Sequence, residues 1–136
     1  MGLFANLFGG KGRENSARTP AAVPLDALEE VKDRIVADCA RRADWSQHAR
    51  IQIADRAKEI FYLTLAARDL LRANKLEQSD LETIAILIEK ASAAENHLAV
   101  LLDPLGADAR DLRRDLARAL EPCREAVLLH LPRQDG

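Results

Sequence analysis

No glycine occurs between Gly12 and Gly106, although glycine is the usual punctuation of turns. Four of the six glycines are Gly2, Gly9, Gly10 and Gly12. The chain therefore divides into a loose N-terminus and a regular body. Aromatics are equally sparse, and two of the three phenylalanines, Phe4 and Phe8, lie in the first eight residues. β-Branched and aromatic residues are too few outside short runs to support a sheet. Two cysteines, Cys39 and Cys123, with no C-x-x-C spacing, do not make a disulfide framework. No apolar run approaches the roughly 20 residues that span a bilayer. The first residues lack a charged n-region, and their short apolar stretch ends in Gly-Gly-Lys-Gly, so a secretory signal is not expected. A cytoplasmic location follows as the expectation. A formal charge of −2 argues against a protein basic enough to bind nucleic acid.

What is present is helix-forming. Alanine, leucine, glutamate and arginine dominate the 136 residues, a length suited to one domain. Residues 1–8 read as a short amphipathic segment, 9–24 as a flexible linker and 25–131 as a helical body. Leu25, Leu28, Val31, Ile35 and Cys39 recur at three- and four-residue spacing and predict a first helix over about 25–43. Asp26 and Glu29 would cap it, with Arg41 and Arg42 at its C-terminal end. A second helix is expected over 46–74, apolar around most of its circumference between Ile60 and Leu71. Ser79-Asp80-Leu81-Glu82 has the form of a capping box for a third helix over 80–102, which Gly106 would close in a left-handed conformation. The fourth, 108–131, carries Leu112, Leu116, Leu120, Cys123 and Val127, with a kink expected near Pro122.

Short turns between amphipathic helices make neighbours antiparallel, so the expected fold class is all-α, an up-down-up-down four-helix bundle with a flexible N-terminal tail. In that topology Cys39 and Cys123 lie at opposite ends, separated by roughly 20 Å of helical rise, too far for a bridge. With few rings, aliphatic side chains must fill the core. That leaves little room for a cofactor, and none is expected.

His48, His97 and His130 fall on three different helices without the Glu-x-x-His spacing of di-metal bundles, so no metal site is expected. A phosphotransfer histidine would need a nearby lysine and small neighbours. His97, in Glu95-Asn96-His97-Leu98-Ala99, has no lysine or glycine following it. Glu95 falls within the apolar stripe of the third helix. Antiparallel counting sets it level with Lys58, which predicts a structural Lys58–Glu95 ion pair. Read functionally, the same carboxylate would be a perturbed acid or base. Arg110, Arg113, Arg114 and Arg118 alternate with Asp108, Asp111 and Asp115, which cancels much of the positive field.

The N-terminal segment carries the strongest functional signal. On a helical wheel Met1, Leu3, Phe4, Leu7 and Phe8 cover an arc of about 160°, and Lys11, Arg13 and Arg18 follow against Glu14 alone. An amphipathic turn followed by basic residues suits an anionic membrane surface. Five partly inserted apolar side chains would contribute on the order of 5 kcal/mol. Gly2 does not complete a myristoylation motif, because position 6 is Asn. Phe4 and Phe8, at i,i+4 spacing, would equally anchor a helix in a partner's groove. The segment could also fold back over the bundle. The expectation is a non-enzymatic binding or adaptor module, bound to the inner membrane surface or a partner protein through this tail. The apolar centre of the second helix adds the option of a homodimer. The alternative is a cytoplasmic enzyme or phosphotransfer protein using Glu95 or His97.

Overall fold

The computed structural model describes residues 23–73 and 75–131. They form four helices, α1 (Leu25–Arg41), α2 (Gln47–Leu71), α3 (Gln78–Leu102) and α4 (Ala107–Leu128), with a 3-10 turn at Asp103–Leu105 and no strand among the described residues. The amphipathic segment 1–8 and linker residues 9–22 lie outside the described residues. Val23, assigned to the linker from sequence, is buried in the core, so the body begins two residues earlier than its spacing suggested.

All five periodic positions of α1 are buried. So are Leu112, Leu116, Leu120, Cys123 and Val127 of α4. Each fully buried aliphatic side chain contributes about 1.5–3 kcal/mol relative to exposure. The helices pack as a bundle in which α1 and α3 each lie against both α2 and α4, while α2 and α4 also touch. The order of contacts fixes the register. Cys123 Sγ donates to the Pro24 carbonyl at 3.3 Å, Arg34 pairs with Asp115 at 3.2 Å, and Arg42 lies 3.8 Å from Asp108. Residue numbers thus rise along α1 as they fall along α4. Contacts on three sides explain why the centre of α2 is apolar nearly all round. Its Ile60, Phe61, Thr64, Ala67 and Leu71 are buried inside the bundle.

The helix ends differ from expectation in instructive ways. Ser46 caps α2, its Oγ accepting from the Ala49 amide at 3.1 Å. The capping box of α3 is not Ser79 with Glu82 but Glu77 with Asp80: the Asp80 carboxylate accepts from the Glu77 amide at 3.0 Å, and the Glu77 side chain accepts from the N3 amide. A carboxylate reaches the same amides as a serine hydroxyl, so two registers were available and the earlier one was taken. The N-cap of α1 is Pro24, without a side-chain cap bond, and Asp26 sits in the first turn as the dipole favours. Gly106 has φ +118° and ψ −177°, not the left-handed helical pair expected, and serves as N-cap of α4. Pro122 does not restart α4, which continues through it to Leu128. Its ring faces solvent, where water can bond the carbonyl left without a helical donor.

Trp45 closes the α1–α2 turn. It is 2% exposed, with the Arg42 guanidinium stacked 4.6 Å from its ring. Tyr62 is 56% exposed, and Lys32 lies over both it and Phe61.

Candidate functional site

Glu95 is held from α4, not from α2. Its Oε1 lies 3.5 Å from Arg124 Nη1, and the two side chains are 18% and 24% exposed. Arg124 Nη1 also donates to Ser92 Oγ at 2.8 Å, and its other terminal nitrogen pairs with Glu121. Burial works against the Arg124 charge, but the Glu121 and Glu95 carboxylates outweigh it and raise its pKa above the ordinary value. The expected Lys58–Glu95 pair is therefore replaced. Level counting along two helices fixes height but not angle, and Glu95 turns toward the α3–α4 seam. Lys58 is exposed on the opposite flank of α2, facing α1.

His97 is exposed on α3, at the rim of a shallow depression shared with Arg56, Glu59, Lys90, Ala93 and Ala94. Sequence offered no lysine after His97. The fold supplies one two turns before it, together with an arginine from the neighbouring helix and two small side chains. Helix periodicity could have found Lys90 and Ala93, which share the face of His97, but not Arg56. No group of three or more His, Cys, Asp or Glu side chains able to hold a metal occurs among the described residues.

The arginine ladder of α4 is tied into ion pairs. Arg113 meets Asp103 at 2.6 Å, Arg114 meets Asp111 at 2.8 Å, and Arg110 donates to the Asp103 carbonyl at 3.0 Å. Asp115 pairs across to Arg34 on α1. Three of the four arginines are thus spent within the chain.

A partly apolar concavity runs between α1 and α2. It is an open groove of about 410 Å³, with Val36, Cys39 and Ala54 lining its covered side and exposed Ala40, Ile51, Asp55 and Lys58 at its edges. Ile51 is 53% exposed, and Tyr62 extends the same line of α2 further along. Arg50 reaches into the floor. Its Nη1 donates to the Cys39 carbonyl at 3.3 Å, and its buried Nε has no acceptor among the described residues. The groove was missed from sequence because its α1 wall, Val36 and Ala40, lies just off the buried stripe and reads as its edge.

Met1, Leu3, Phe4, Leu7, Phe8, Lys11 and Arg13, the residues expected to bind membrane or partner, lie outside the described residues. No helix of the described residues is long and apolar enough to cross a membrane. The chain matches no known family model, no curated protein and no solved structure.

Proposed function

We propose that the chain is a non-enzymatic binding module: an antiparallel up-down-up-down bundle attached reversibly to an anionic membrane surface by residues 1–8, with a partner protein as the competing target of that segment. The observation that carries this reading is the segregation of Met1, Leu3, Phe4, Leu7 and Phe8 onto one arc, directly followed by Lys11 and Arg13. The bundle is consistent with such a role. The core of the described residues is mainly aliphatic, and Thr64 is the one polar residue buried among them. Hydrophobic insertion and basic charge together give marginal binding, suited to a cytoplasmic protein that cycles on and off the inner surface.

The test is co-sedimentation of the full chain, and of a form lacking residues 1–10, with anionic and neutral vesicles. Sedimentation of the full chain alone, with anionic vesicles alone, supports the anchor. Failure of both forms to sediment removes it and leaves the partner protein as target. Deletion should leave cooperative melting intact; a large loss of stability would mean that the segment is core.

Lys90 and Ala93 beside exposed His97, in a depression where Arg56 is paired with Glu59 at 2.9 Å, favour one second reading, phosphoryl acceptance from an acyl phosphate. Incubation with acetyl phosphate and ³¹P NMR would detect a phosphoramidate at His97. Its absence, or its persistence in His97→Ala, removes that reading.

A further inference from the structure

We infer that the groove between α1 and α2 is a docking site for the chain's own residues 1–8 when no membrane is present. This rests on the reading of that segment as a binding helix and adds where it is stored.

Size and reach agree. Eight helical residues span about 12 Å, and the rim from Ile51 to Lys58 spans about 10 Å of α2. The fourteen residues from 9 to 22 give a coil an end-to-end distance of about 20 Å. Val36 lies eleven residues along α1 from Leu25, about 17 Å from where the linker joins the body. The groove on the first helix pair is thus within range of a tail doubling back along α1.

The chemistry agrees as well. An amphipathic helix lying in a groove needs an apolar floor flanked by exposed apolar contacts, here Val36 and Ala54 beside exposed Ala40 and Ile51. The same apolar arc would serve lipid and groove in turn, so docking and membrane insertion exclude each other.

Methyl NMR of the full chain and of the form lacking residues 1–10, both without lipid, tests this directly. Deletion should move the methyl signals of Val36 and Ile51 while leaving those of Ile86 and Val100, exposed on α3, in place. Unchanged groove signals, or equal changes on both faces, overturn the inference. Ile51→Asn should release the tail and lower the anionic lipid concentration needed for half-sedimentation by several-fold, but only when residues 1–10 are present. An unchanged lipid requirement, with the full chain sedimenting, breaks the coupling between groove and membrane. If nothing sediments while the groove methyls still shift, the anchor reading fails and the docking stands.

Discussion

Arg124 on α4 reaches Glu95 on α3, Nη1 to Oε1 at 3.5 Å, and holds Ser92 with the same nitrogen. Both side chains are mostly covered, so removing the guanidinium leaves a carboxylate short of solvent and of its partner. Arg124→Ala is therefore expected to cost about 1–3 kcal/mol in chemical denaturation. Lys58→Ala, on the open side of α2, should fall within about 0.5 kcal/mol of the parent. Equal effects from the two substitutions would contradict the pairing.

The gap between Lys58 and Arg124 shows what was legible in the sequence. Every position named in the apolar stripes of α1 and α4 is buried, because a 3.6-residue period maps directly onto one covered face, while α4 also buries Ala109 and Ala119, which were not named. Which helix a half-polar position such as Glu95 turns toward depends on rotation about the axis, and periodicity carries little of that. The Glu77–Asp80 cap was hidden for a different reason, since Glu77 with Asp80 and Ser79 with Glu82 both have capping-box spacing, in registers two residues apart. Arg56 beside His97 required the α2–α3 register, which only packing fixes.

Gly106 gives a clean backbone test. Its φ of +118° with ψ −177° lies where side chains are rarely found, yet an added Cβ would meet nothing within 4 Å. Gly106→Ala should therefore destabilise by about 1–2 kcal/mol through backbone strain alone. A neutral substitution would mean that the α3–α4 connection relaxes freely into another conformation.

Thr64 is fully buried on α2, and its hydroxyl donates to the Ile60 carbonyl at 2.8 Å. That carbonyl also faces the Thr64 amide within the helix, so loss of the hydroxyl leaves it with a partner. Thr64→Val keeps the volume and should lie within about 1 kcal/mol of the parent. Thr64→Ala opens space in the core and should cost about 1–2 kcal/mol more. A large loss from Thr64→Val would show that the hydroxyl serves more than its own turn.

Cys39 and Cys123 are both free and buried, and their contacts place them at opposite ends of α1. Burial, helped by the nearby Asp38 charge, pushes the Cys39 thiol up to about 11, and burial alone does the same for Cys123. At pH 8 Ellman's reagent should titrate neither thiol in the native protein and both in denaturant. The pH dependence has a definite sign. The unfolded thiols ionise near about 8.5, so above that pH the unfolded chain releases protons that the folded chain retains. Stability from this source is fully present below about pH 8.5 and is lost as pH rises toward about 11. The variant with both cysteines changed to alanine should lose less stability than the parent between pH 9 and pH 11, whatever its stability at neutral pH. If the two proteins run parallel through that window, the thiols ionise as readily in the folded chain as in the unfolded one, and neither is as shielded as its position implies.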